Sequence, residues 1–103
     1  MSNSLAQATC KVNQSDILGA WTTADNQFED FEEFELSKDG KFNSWLHQRP
    51  DILNAKWLFK NCHLIITTSD IHFDYQIKIK SRQLLMINSE DEKLVTSRYK
   101  RIK

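Results

Sequence analysis

The stretch IHFDYQIKIK, residues 71–80, decides the fold class because apolar and polar side chains alternate along its whole length. The apolar positions are 71, 73, 75, 77 and 79, and the positions between them hold His, Asp, Gln and Lys. Successive side chains of a strand point to opposite faces, whereas a helix would mix the two groups on one surface. The pattern therefore predicts a β-strand with one apolar face and one solvated face.

Strand patterns continue on both sides of this stretch. The segments NAKWLFKN (54–61) and CHLIITT (62–68) also alternate, and their junction at Lys60–Asn61 predicts a hairpin. Downstream, QLLMIN (83–88) and KLVTSRYKRI (93–102) predict the last two strands, separated by the polar residues SEDE.

Two upstream segments predict turns or loops. In ELSKDGKFNSW (35–45), Asp39 and Gly40 tolerate positive φ and predict another hairpin turn. The segment HQRPDILN (47–54) holds the only proline, so a loop or a short helix starting near Asp51 is expected there.

Together these segments predict an all-β fold of about eight short strands joined by tight turns. Such an order is typical of an up-and-down antiparallel meander. Closing the meander, fully or nearly, into a barrel buries its apolar face and removes its exposed edges. Residues 1–15 are expected to be a polar leader, and residues 16–103 the barrel domain.

Short motifs in this order resemble the small lipocalin-like domains of bacteria, over about residues 16–102. The shared pattern is a first strand with glycine-x-tryptophan, a DG hairpin, an aromatic strand and a terminal Tyr-x-Arg strand. The segments that carry it are ILGAW (17–21), LSKDGKF (36–42), AKWLFKNCHLIIT (55–67), FDYQIKIKSRQLLMI (73–87) and SRYKRI (97–102).

The resemblance implies a structural role for four residues. Trp21 would close one end of the barrel, and Gly19 would let the chain bend beneath it. Arg98 or Arg101 from the last strand would lie across the indole, where a guanidinium is attracted to the ring face.

A binding function is the first of two hypotheses. The barrel would bind a small apolar or flat aromatic ligand in a pocket lined by aromatic side chains. The alternative for the same side chains is an ordinary core. The four residues concerned are Phe42, Trp45, Trp57 and Tyr75.

The second hypothesis is a protein-binding module, such as an inhibitor or immunity-type protein, that recognises a basic partner. Seven acids lie between Asp25 and Asp39 against Lys38 alone. Acids steer a basic partner and aromatics anchor it, although a solvated strand face would give the same pattern. The partner-binding residues would be Glu29, Asp30, Phe31, Glu32, Glu33 and Phe34.

The composition argues against other classes of function. With 14 basic and 14 acidic residues, the net charge of zero does not favour nucleic acid. There is no GxSxG motif and no glycine-rich phosphate loop, and His47, His63 and His72 lack metal-site spacing. We therefore expect a non-enzymatic protein without a metal or a cofactor, and the oligomeric state stays open.

The two cysteines bear on localisation. Cys10 and Cys62 form an even count without a CxxC motif, which favours a disulfide between them. The residues LAQA (5–8) have the small-x-small form of a signal-peptidase site, so the leader is either the end of a signal peptide or an ordinary alanine-containing segment. Both features favour a periplasmic or secreted protein; a cytoplasmic protein with two buried thiols is the alternative. No apolar run reaches the roughly 18 residues that a membrane span needs.

Overall fold

The structure is a computed structural model that describes residues 10–90 and 93–102, without the side chains of residues 89 and 90. The LAQA segment therefore lies outside the described residues. Within the described residues, the short helix α1 (Gln14–Ile17) precedes eight strands. The strands are β1 (Gly19–Thr23), β2 (Glu33–Leu36), β3 (Lys41–Leu46), β4 (Arg49–Lys60), β5 (His63–Thr67), β6 (His72–Lys80), β7 (Gln83–Glu90) and β8 (Lys93–Arg101).

Each strand pairs antiparallel with its neighbour in the chain, and β1 also pairs with β8. The sheet is thus a closed up-and-down barrel, and the predicted fold class is confirmed. The register places Trp21 opposite both Phe34 and Arg101, so the last residue of β8 lies beside the middle of β1.

Three hairpins turn through pairs of non-glycine residues with positive φ. The pairs are His47–Gln48 (54° and 66°), Asn61–Cys62 (52° and 62°) and Ser81–Arg82 (53° and 66°). Two successive positive φ values define the type I′ turn, whose twist matches that of the flanking strands. The turn between β4 and β5 lies one residue later than predicted, whereas the predicted turn at Asp39–Gly40 is confirmed, with φ of 88° at Gly40.

The expected loop or short helix near Asp51 is wrong, because β4 runs without interruption from Arg49 to Lys60. Pro50 is the second residue of that strand, next to the turn, where a proline is compatible with strand structure. A β-bulge follows, with Asn54 at a φ of 57° and the pairing to β3 shifted.

Alternation along the strands places the apolar side chains inside the barrel. In the stretch 71–80, Tyr75 and Ile77 are buried, Phe73 packs against the core, and Ile71 and Ile79 at the strand ends are exposed. The buried core consists of Ile17, Trp21, Phe31, Phe34, Leu36, Phe42, Ala55, Trp57, Leu64, Ile66, Tyr75, Ile77, Leu84, Met86 and Tyr99.

The antiparallel order gives the barrel two distinct ends. One end carries α1 and the turns at residues 37–40, 61–62 and 81–82, and we call it the tryptophan end because Trp21 lies there. The other end carries the long connection between β1 and β2, and we call it the loop end.

Candidate functional site

The tryptophan end is closed by Trp21 and Arg101. The indole N–H of Trp21 donates a hydrogen bond of 3.0 Å to the carbonyl oxygen of Ile17. The guanidinium of Arg101 lies 4.3 Å from the Trp21 ring centroid. It also donates to the carbonyl oxygens of Leu18 (2.6 Å) and Asp16 (2.9 Å), which ties the end of β8 to α1.

Of the two candidate arginines, Arg101 covers the indole and Arg98 does not. Ser97 and Tyr99 point into the barrel, so the alternation of β8 gives Arg101 the inner side and Arg98 the outer side. Arg98 is exposed on the outer face.

Gly19 lies directly beneath Arg101. Its φ of +114° is a conformation that side chains rarely adopt, and a Cβ atom there would lie 2.8 Å from Nη1 of Arg101. A larger residue would therefore strain the backbone and displace the guanidinium.

Cys10, which precedes α1, is tied to the same end. Cys10 and Cys62 lie at disulfide distance, with their Cα atoms 5.4 Å apart. Cys62 belongs to the turn between β4 and β5, so this link holds residues 10–13 against the tryptophan end.

The loop end is closed differently, by the connection between β1 and β2. Within this connection, residues 24–32 form what we call the plug segment. Its residue Phe31 is only 2% exposed, although it belongs to no strand. The ring of Phe31 makes edge-on contacts with four aromatic rings, and we call these five residues the mouth cluster. The centroid distances are 4.9 Å to Phe42, 5.1 Å to Phe73, 6.0 Å to Tyr75 and 6.2 Å to Phe34.

Two buried tyrosine hydroxyls hold the plug segment in place. The hydroxyl of Tyr99 donates a hydrogen bond of 2.7 Å to the carbonyl oxygen of Phe31, which is 68 residues away in the chain. The hydroxyl of Tyr75 donates to the carboxylate of Asp30. Each tyrosine thus satisfies its polar group through an acceptor that the plug segment supplies.

Burial raises the pKa of both hydroxyls above the ordinary value for tyrosine. For Tyr75 the hydrogen bond to the Asp30 carboxylate raises the pKa further, since that carboxylate favours the protonated phenol. For Tyr99, burial and the nearby negative charge of Asp30 outweigh the lowering effect of Ser97. Both groups are therefore hydrogen-bond donors at neutral pH.

The remaining acids of the plug segment also make internal hydrogen bonds. The backbone N–H of Glu29 donates to Oγ of Ser97 at 3.2 Å, and the amide of Asn88 donates to Oε1 of Glu29 at 3.3 Å. The backbone N–H of His47 donates to Oε1 of Glu32 at 2.7 Å.

These contacts change the interpretation of the acidic segment. Phe31 and Phe34 are buried in the barrel, so they offer no surface with which to anchor a protein partner. Glu33 is half-buried on the outer side of β2, because its neighbour Phe34 points inward. The chain therefore uses the aromatics of this segment for its own core.

The four predicted pocket residues do not lie together. Phe42 and Tyr75 belong to the mouth cluster. Trp57 lies nearer the tryptophan end, where its indole N–H donates to the carbonyl oxygen of Ser37 at 2.9 Å. Trp45 is half-buried on the outer face of β3, because the adjacent Ser44 is fully buried inside.

The sequence did not predict the loop-end positions of Phe73 and Tyr99 or the plugging role of Phe31. Phe73 was on the apolar face of the stretch 71–80, and Tyr99 was in the terminal Tyr-x-Arg motif. No local pattern marks Phe31 as a plug, because its burial depends on strands β3 and β6.

The described residues contain no cluster of three or more His, Cys, Asp or Glu side chains that would hold a metal ion. Among these residues there is likewise no helix with the length and apolar character of a membrane span.

The closed eight-stranded up-and-down barrel, plugged at one end and capped by a tryptophan at the other, is the architecture of the lipocalin class of barrels. A family model described as lipocalin-like matches residues 13–102, and the chain belongs to this lipocalin-like family. The resemblance predicted from the sequence is thus confirmed at the level of the family. No curated protein and no solved structure matches the chain.

Proposed function

We propose that this barrel binds a small apolar or aromatic ligand at its loop end, in the space that the ring of Phe31 occupies. The protein is a lipocalin-type binding protein by its family and fold. A non-enzymatic role, which is typical of that family, is part of the proposal.

The observation that carries the proposal is the position of Phe31. Its ring fills an aromatic environment, yet it comes from a connecting segment and not from a strand. The segment joins the barrel at each end through the backbone, since Thr23 bonds to Glu32 and Ala24 to Arg98. The residues between these bonds can leave the mouth without breaking a strand pair.

A ligand ring that displaces the ring of Phe31 would make the same contacts with the surrounding aromatic side chains. Aromatic pairs contribute about 0.5–1.5 kcal/mol each beyond the burial of area, so a flat ring in the same place recovers most of what the plug loses. Only molecules in which the plug is out can bind, so the apparent affinity is the intrinsic affinity multiplied by the fraction of such molecules. Removing the ring of Phe31 should therefore favour ligand binding.

The test is a titration of wild type and Phe31→Ala with N-phenyl-1-naphthylamine, a neutral apolar probe that fluoresces when it leaves water. We expect tighter binding by Phe31→Ala, and added probe should raise its denaturant midpoint because ligand binds only the folded state. Leu53→Ala is the control, since Leu53 is 55% exposed on β4. Absence of binding by both wild type and Phe31→Ala would overturn the proposal.

The alternative proposal, a module that binds a basic protein through residues 29–35, has weaker support. The carboxylates of Asp30 and Glu32 accept hydrogen bonds within the chain, and the two phenylalanines of the segment are buried. Of the residues in this segment, Glu33 and Glu35 on the outer side of β2 are the ones still available to contact such a partner.

We also propose a periplasmic or secreted location. The pairing of Cys10 with Cys62 supports it, because disulfides persist in oxidising compartments.

A further inference from the structure

The polar groups behind the plug restrict what can replace it. The side chains of Tyr75 and Tyr99 are 3% and 1% exposed, and the plug segment supplies the acceptors for both hydroxyls. A pure hydrocarbon in the mouth would bury these hydroxyls without a partner, which costs free energy that a ligand with one acceptor avoids for one of them.

The plug itself is a template for the ligand. The ring of Phe31 lies in the mouth cluster, and the carbonyl of the same residue accepts from Tyr99. In phenylalanine the ring and this carbonyl are separated by two saturated carbon atoms. A ligand with the same spacing would place a ring among the aromatics and an acceptor on Tyr99.

The surroundings favour a neutral acceptor over a carboxylate. Every lysine and arginine side chain within residues 10–90 and 93–102 is exposed, so the described interior provides no cation for a buried anion. Glu29, Asp30 and Glu32 place further negative charge at the same end of the barrel. Burying a carboxylate without a cation has a high cost in free energy, whereas a buried ketone or amide carbonyl needs only one hydrogen-bond donor.

We therefore propose that the ligand is an aromatic compound with a neutral carbonyl two saturated carbons from its ring, and that Tyr99 donates to this carbonyl. The proposal rests on the proposed function and specifies the ligand class of the same site. Tyr99 is then a specificity-determining residue, in addition to its role in holding the plug segment.

The experiment compares three probes of matched shape by NMR titration of the wild-type protein: 4-phenyl-2-butanone, butylbenzene and 3-phenylpropanoate. We expect the ketone to bind about threefold to tenfold more tightly than butylbenzene, as one net hydrogen bond provides. We expect 3-phenylpropanoate to bind more weakly than the ketone.

The ratio of ketone to hydrocarbon affinity is the decisive measurement. Tyr99→Phe also loosens the plug, but loosening changes both affinities alike, so the ratio reports the hydrogen bond alone. The ratio should fall to one or below in Tyr99→Phe, which leaves the carbonyl without a donor, and persist in the matched variant Tyr75→Phe.

The outcomes separate this inference from the proposed function. If butylbenzene binds wild type as tightly as the ketone, the proposed function stands and the carbonyl inference is overturned. Tighter binding of 3-phenylpropanoate overturns the neutral ligand class. If the ketone-to-hydrocarbon ratio falls in Tyr75→Phe but not in Tyr99→Phe, the assignment to Tyr99 is overturned. Failure of all three probes, together with no binding of the naphthylamine, overturns the proposed function itself.

Discussion

Each end of this barrel is closed by a buried aromatic side chain, but the two closures are built differently. Trp21 belongs to strand β1, lies under Arg101 and is hydrogen-bonded to the residue that ends α1. Phe31 belongs to a connecting segment and is held by hydrogen bonds from two tyrosines. Trp21 is thus part of the paired sheet, whereas Phe31 belongs to a segment that lies outside the strand pairing.

Truncation of the two aromatics should give the largest effects and separate the two ends. Trp21→Ala is expected to lower the free energy of unfolding by about 3–5 kcal/mol, as large aromatic truncations in cores do. Phe31→Ala should cost only about 1–3 kcal/mol, because the plug segment can rearrange around the change. Denaturant unfolding measures both values. Equal losses would mean that the loop end is as much a part of the cooperative core as the tryptophan end.

The link between Cys10 and Cys62 should stabilise the tryptophan end. The cysteines are 52 residues apart, and removal of such a disulfide costs about 2–4 kcal/mol in most small proteins. The double variant Cys10→Ser, Cys62→Ser should show a lower denaturant midpoint and faster amide exchange in α1, with unchanged exchange in the plug segment. Mass spectrometry after alkylation without reductant checks the pairing in wild type. Two alkylated thiols in oxidised protein would contradict the pairing and the proposed location.

The tyrosines allow an optical test of the loop end. The chain has only two tyrosines, Tyr75 and Tyr99, and burial raises the pKa of each. The folded protein should therefore show no tyrosinate absorbance near pH 10, about where tyrosines of an unfolded chain ionise. Since the unfolded state loses these protons first, stability should fall as the pH rises above that value. The control is the same titration in guanidinium chloride, and tyrosinate formation in the folded protein near pH 10 would count against the burial of the two hydroxyls.

The smallest effect is expected from Arg101→Lys. An ammonium cannot reproduce the planar contact with Trp21 or both hydrogen bonds to the backbone of Asp16 and Leu18. We expect a loss of about 0.5–1 kcal/mol, the range for a cation–π contact near the surface. The matched control is Arg98→Lys on the outer face of the same strand, which should leave stability unchanged. An equal effect of both substitutions would show that the position over the indole has no energetic role.

Much of the barrel follows from local patterns. Alternation in the stretch 71–80 predicted β6, and similar patterns predicted the strands around it, because one buried face imposes a period of two. The segment after Pro50 was misinterpreted, since a proline near a turn is compatible with both a loop and the first residues of a strand. The type I′ turns were partly hidden because their residues are not glycine.

The sequence by itself determined the all-β class, the antiparallel order and the lipocalin-like resemblance. These depend on properties that each segment carries alone: side-chain period, turn residues and one Gly-x-Trp motif. Only the tertiary structure decided that Phe31 plugs the mouth, that Trp45 lies outside and that Tyr99 holds the plug. The reason is that burial of a connecting segment depends on residues far away in the chain. Phe31 and its partner Tyr99 are 68 residues apart, and no local pattern records such a contact.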